Sequence, residues 1–439
     1  MRYALALLAV GLAGACATSG PDNEHGPTFL DGGGDGASAG DVGATGDDAV
    51  NEGATADDAT NDGPSSVDAP AEAQGDATAD GSTDAGGGDT GQVDSGSCTS
   101  TMALLAASGT VMGEAVFGHG QWSTASTVAG GAAGAPSLVA FGAGYLGVYV
   151  GAGTTGSLPL RWTAYTGSWT PPATIGAALA QGKPALAVIA GTAHLVYWGS
   201  DGKFYHGTYG GSWDAASDKV QSGGGAAQSF GPSAPVVAAT GAALALAQSG
   251  QDGQLYAQPW TGSWQAAVPV AGSSVESLLT PAIVALTGGS ADAMVVFVHA
   301  GDAGDYHLQY TVRTSGSWSA PVELYDQAGN IAYAGTTPSL AALPNGGAIV
   351  AWQGSSPAHP YVSTYDPAAK WSAPLPVGGA VLASPPSVVP GVCGAQAAMA
   401  YVQATGEVDV TTLSGGSWGT PVAIAGASGM QTVALASLP

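Results

Sequence analysis

One phrase is written seven times along the chain: a short turn, a Trp, then small residues and often a Pro. No other feature restricts the fold so strongly. It reads "HGQWSTASTVAG", "TGSWTPPATIG", "GGSWDAASDKV", "TGSWQAAVPVAG", "SGSWSAPVELY", "AAKWSAPLPVGG" and "GGSWGTPVAIAG", carrying Trp122, Trp169, Trp213, Trp264, Trp318, Trp371 and Trp418. The intervals between these Trp residues are 47, 44, 51, 54, 53 and 47. A period of that length matches one four-stranded blade of a β-propeller.

Each interval has the same interior order. A Pro-led apolar run comes first, at Pro136, Pro184, Pro235, Pro281, Pro338 and Pro386. Proline at the first residue of a strand removes no ladder hydrogen bond. A second strand follows ("HLVYWG", "AIVAWQG"), then a turn ("SDGK", "SGQDGQ"), a third strand ("LRWTAY", "FYHGTY", "LQYTVRT") and the Trp phrase as fourth and outermost strand. The innermost strand is expected to be apolar on both faces, and the outer strands to alternate. No segment shows sustained helical periodicity, so the predicted class is all-β. Each repeated Trp is expected to cover the apolar layer between neighbouring blades.

Counting strands predicts how the ring closes. The terminal "TVALASLP" resembles an innermost strand with no blade after it, whereas residues 101–129 supply strands two, three and four without a first. The C-terminal strand is therefore expected to complete the N-terminal blade, making seven and removing the free edges of an open stack.

Composition divides the chain near residue 97. Of its 32 acids, 18 precede residue 98, opposed there by Arg2 alone. Residues 17–97 combine this charge with Ala, Gly, Ser and Thr and almost no large apolar side chain, which predicts a disordered linker unable to offset its ordering entropy. The folded region is then 98–439. Its four Lys and two Arg cannot neutralise a phosphate track, which excludes a nucleic-acid partner.

Residues 1–16, "MRYALALLAVGLAGAC", place one basic residue and a short apolar run ahead of Ala13-Gly14-Ala15-Cys16. This resembles a bacterial lipoprotein signal peptide, and the resemblance implies lipidation of Cys16. It further implies an envelope protein held to the membrane through its lipid alone, at the outer membrane if Ala17 acts as a sorting residue. Cys98 and Cys393 remain as one candidate disulfide in an exported setting.

The Gly-x-Trp blades resemble the bacterial seven-bladed propeller lectins and related repeat propellers. The resemblance covers residues 98–439 and implies sugar sites between adjacent blades, against an aromatic ring and polar side chains. The Arg and Glu that recur in fucose-binding propellers are not repeated here, since the folded region holds only Arg161 and Arg313. Two arginines also cannot form the triad of a sialidase propeller. Ordinary glycoside hydrolysis needs two carboxylates across the bond. The candidates Asp201, Asp252, Asp305, Glu323 and Asp409 include several in Gly-rich turns, where a solvated turn residue is the usual explanation. With no helical segment there is no strand-to-helix turn to form a nucleophile elbow, and no zinc-protease motif occurs, so a non-catalytic binding module is expected, with no cofactor and no metal. His194, His206, His299 and His307 fall in two alternate blades and are not expected to converge.

Four Trp lie outside the repeated phrase. Trp162 with Arg161, and Trp260 with Gln258, are the candidate ligand-binding sets on third strands; Trp198 and Trp352 are further candidates on second strands. The expected partner is a glycan, and the competing expectation is another envelope protein docked on one propeller face.

Overall fold

The computed structural model describes residues 99–152, 158–214, 218–220, 233–301, 306–325, 332–355 and 357–438. The expectations for residues 1–16 and 17–97, with Cys16, Cys98 and Asp305, lie outside the described residues.

Seven antiparallel sheets of four or five strands follow one another along the chain. Their innermost strands are Thr432–Leu438 for blade one, then Ser137–Phe141, Ala185–Ile189, Val236–Thr240, Ala282–Ala285, Ser339–Ala342 and Ser387–Pro390 for blades two to seven. Each innermost strand packs against the next, and Thr432–Leu438 packs against both Ser387–Pro390 and Ser137–Phe141, so the ring is closed. Closure runs through the composite blade: Thr432–Leu438 pairs with Thr101–Ala107 in the register Ala107↔Thr432 to Thr101↔Leu438. The fold is a seven-bladed β-propeller, as the repeat predicts.

The core is divided into layers between adjacent blades. One layer joins Leu104 and Ala106 of blade one to Ala398, Ala400 and Val410 of blade seven. Another joins Met294, Val296 and Leu308 of blade five to Val350, Trp352 and Tyr365 of blade six. Burial differs from expectation in one respect. The second strands are the most deeply buried, Gly144–Val150 and Ala397–Val402 along their whole length. The innermost strand Ser137–Phe141 is mostly half-buried. A second strand has a partner at each edge and a blade over each face, whereas an innermost strand turns one edge to the axial channel.

The outer strand also departs from a single continuous element. In blade five it consists of Ser317–Trp318 and Val322–Glu323, both paired with the third strand Tyr306–Thr314 but at separate places. The Trp belongs to the first piece, which forms a tight hairpin with the third strand. That hairpin explains the glycine of the repeated phrase: Ser315 and Gly316 have φ of 52° and 82°, the two positive values of a type I′ turn, which glycine adopts without a Cβ clash. In blade six Ala369 stands at the glycine position, and the positive φ of 66° falls on the next residue, Lys370, at the end of a turn held by Asp366 Oδ1 accepting from the Ala368 and Ala369 N–H groups.

Candidate functional site

Strand pairing places one third-strand residue opposite each repeated Trp. These partners are Phe117, Tyr165, Tyr209, Trp260, Arg313, Tyr365 and Leu413, in blade order. Alternation along a strand sends the residue three positions earlier to the other face of the sheet. That residue meets the Trp hairpin of the following blade. Trp162 of blade two thus packs on Tyr209 and Trp213 of blade three, with ring centroids 5.2 and 6.4 Å away. Tyr310 of blade five packs in the same way on Tyr365 and Trp371 of blade six.

Around the ring, this column is Glu114, Trp162, His206, Ala257, Tyr310, Val362 and Val410. Six of the seven are aromatic, aliphatic or imidazole; one is a carboxylic acid. Trp162, His206 and Tyr310 fill the space beneath the next blade's Trp. Glu114 leaves a groove of about 550 Å³ between blades one and two, walled by Tyr165, Trp169, Pro171 and Pro172 and edged by the Ser123 and Ser126 hydroxyls. That size is typical of a small-ligand cleft, about 300–1,000 Å³.

Glu114 is 3% exposed. Its Oε1 lies 3.4 Å from Thr163 Oγ1 of blade two, whose proton is given to the Thr170 carbonyl at 2.7 Å. Burial pushes the carboxyl up to about 7, and the Thr163 contact pulls weakly the other way. A carboxyl balanced near neutrality beside an indole, with hydroxyls at the rim, can hydrogen-bond a polyol whose C–H face rests on the ring.

The equivalent space between blades six and seven is a second groove, about 720 Å³, where Val362, Leu413 and Trp418 take the places of Glu114, Tyr165 and Trp169. Among the described residues lining the two grooves, the only carboxylates are Glu114 in one and Asp366 in the other. Asp366 serves its turn, and the backbone N–H groups of Ala369 and Ala368 hold its carboxyl below the usual range.

No family model and no curated protein matches the chain. Solved structures do match. A fungal lectin from Aleuria aurantia with a six-bladed propeller fold is 15% identical, with TM-score 0.46 over 67% of this chain and 96% of that one. AofleA from Arthrobotrys oligospora is 13% identical, with TM-score 0.43 over 69% and 89%. An α-L-arabinofuranosidase from Fusarium graminearum is 13% identical, with TM-score 0.42 over 61% and 88%. At such identities function does not transfer with fold; the groove itself must carry the functional reading.

The sequence-derived candidates fall in several separate places. Trp162 is half-buried against Tyr209 and Trp213, and the Arg161 side chain lies along Gly151, with Nε 2.9 Å from where a Cβ would stand. Trp260 is the cross-strand partner of Trp264 and meets the edges of His194 and His206 at 4.8 and 5.5 Å. Gln258 is buried, its amide donating to the Gln265 carbonyl at 2.7 Å. Trp352 is buried, with Nε1 donating to the Tyr333 carbonyl at 3.0 Å. Trp198 is half-buried in the layer between blades three and four. Trp162, Trp260 and Trp352 lie in three different inter-blade layers.

The carboxylates are engaged locally. Asp201 accepts from the Tyr205 hydroxyl and Asp252 from that of Tyr256. Asp409 accepts from the Gln403 amide, and Glu323 pairs with His307 at 3.3 Å. The histidines meet within blades: His194 Nδ1 lies 3.0 Å from His206 Nε2, and the His299 and His307 rings are 4.6 Å apart. The two pairs stay separate, and no group of three or more metal-capable side chains forms among the described residues. Sequence reasoning missed Glu114. Its column follows strand register and not spacing from the Trp: Glu114 stands eight residues before its blade's Trp, Trp162 seven and Val362 nine.

Proposed function

We propose that the propeller is a non-catalytic carbohydrate-binding module with its site in the groove between blades one and two. The observation that carries this reading is Glu114: a buried, nearly partnerless carboxyl at a position occupied by packing residues in the other blades, opening onto Trp169 and Tyr165. A sugar lays its C–H face on an indole and directs hydroxyls to the carboxyl and the Ser rim. The single carboxyl favours binding over hydrolysis, which uses two, roughly 5–10 Å apart. We further propose that Cys16 carries a lipid and that residues 17–97 tether the propeller to the bacterial envelope. Many copies on one surface would then compensate a weak individual site through avidity.

A broad glycan array with the full-length protein, followed by calorimetry of Glu114→Gln and Trp169→Ala, tests the assignment. Each substitution is expected to weaken binding about tenfold or more, the size of a lost charge-assisted hydrogen bond or stacking surface. Absence of any bound glycan would refute the carbohydrate reading. Binding that survives both substitutions in folded protein would move the site elsewhere.

A further inference from the structure

The axial channel offers chemistry of the opposite sign. Its mouth is a cavity of about 160 Å³ formed where five innermost strands begin, and it is lined by Ser137, Lys183, Thr280, Thr337 and Ser339 among the Pro residues that lead those strands. Among the described residues no carboxylate lines it, and Lys183 is the only titratable side chain there. Among the described residues Lys183 has no acidic side chain within ion-pairing distance; the salt bridges are those of Lys203, His307 and Arg313.

The hydroxyls are oriented by the way they join the blades. Thr280 Oγ1 accepts from the Ala234 N–H at 3.2 Å, Thr337 Oγ1 from the Thr280 N–H at 3.2 Å, and Ser339 Oγ from the Val388 N–H at 3.0 Å. An oxygen that accepts from a neighbouring strand keeps its own O–H for donation. The channel mouth therefore collects an ammonium group and several hydroxyl donors, with no negative partner. The crowding strands push the Lys183 pKa down, although its side chain is open to solvent in the channel.

We propose that this channel mouth is a binding site for a small oxoanion, held by the Lys183 ammonium and the hydroxyls of Thr280, Thr337 and Ser339. The recognised chemistry is a compact anionic group with several acceptor oxygens. A free phosphate or sulfate presents it, and so does the carboxylate of an acidic sugar. The site is independent of the Glu114 groove, which a buried carboxyl makes unfavourable to anions.

Inorganic phosphate is the ligand for the test, titrated into the full-length protein at constant ionic strength with chloride as the balancing ion. Wild type is expected to show a saturable rise in melting temperature and a broadened phosphorus resonance, reversed by sulfate. Lys183→Met should bind at least about tenfold more weakly, while Lys183→Arg restores binding. General stabilisation by excluded salts would appear equally in wild type and Lys183→Met, without saturation. That outcome overturns the proposal, as does an unbroadened phosphorus resonance with wild type, a measurement that does not depend on any variant folding. Glucuronate set beside glucose distinguishes the sources: competition by glucuronate alone assigns the site to sugar carboxylates as well, and no competition restricts it to inorganic oxoanions.

Discussion

At the residue scale, Glu114 makes stability depend on pH. Its carboxyl is raised by burial to about 7, so the folded protein holds this proton more tightly than the unfolded chain, whose value lies near 4.5. A raised carboxyl contributes stability that is complete below the unfolded value and is lost as pH rises through the folded one. Each tenfold difference in proton affinity between the two states is worth roughly 1.4 kcal/mol, so wild type should lose up to about 3 kcal/mol from this group between pH 5 and pH 8. Glu114→Gln should be close to wild type at pH 5 and more stable at pH 8. Urea denaturation at the two pH values checks this, and equal destabilisation at both would show that the amide cannot replace the carboxyl. On the proposed function, the same variant is expected to lose sugar binding.

At the element scale, the unit is the outer hairpin with the third-strand side chain that fastens it. Thr163, Thr311, Ser363 and Thr411 each donate to the carbonyl of the residue after the repeated Trp, at 2.7 or 2.8 Å. Gln258 fills the same role in blade four with its amide. This is why Gln258, which reads as a polar neighbour for Trp260, is legible in retrospect as a fastener. The hairpin in turn holds the Trp over the preceding blade. Trp371 is the most buried of the repeated set, 4% exposed against Tyr310 and Tyr365. Trp371→Ala should destabilise the propeller by about 3–5 kcal/mol, the usual range for truncating a buried aromatic. A loss of stability below about 1 kcal/mol, read from the denaturation midpoint, would mean that the layer does not depend on its Trp.

At the scale of the whole molecule, closure depends on the pairing of Thr101–Ala107 with Thr432–Leu438, joining segments more than three hundred residues apart. A covalent clasp would suit this seam. Cys393 lies in the loop between the first two strands of blade seven, and its Sγ is 3.9 Å from the Ser100 carbonyl oxygen, two residues beyond Cys98. A Cys98–Cys393 disulfide is therefore expected, contributing on the order of 5 kcal/mol in the chain-entropy account. Peptide mapping of the native protein by mass spectrometry, without reduction, tests this bridge and the proposed acylation of Cys16 together. Two alkylatable thiols at Cys98 and Cys393 would exclude the bridge, and an unmodified Cys16 in membrane-bound protein would exclude the lipid.

The sequence by itself determined the blade, its number and the mode of closure, because these follow from local patterning. A Gly turn needs positive φ, a Trp must be covered, and a leading Pro cannot donate; each requirement recurs at the blade period. The site was not legible in that way. Glu114 in "GEAVFGH" is one acid in a short strand, and nothing adjacent marks it. Its meaning comes from Trp169, Tyr165 and Thr163, which belong to the next blade and meet it only when two sheets are stacked face to face. The histidines show the same limit, since their pairing within a blade depends on hairpin register. Lys183 becomes distinctive only when five innermost strands bring their starting residues to one axis. Periodicity fixes what each blade must be, whereas the gaps between blades are set by side chains distant in sequence, and only tertiary structure decides which gaps are filled and which remain open to a ligand.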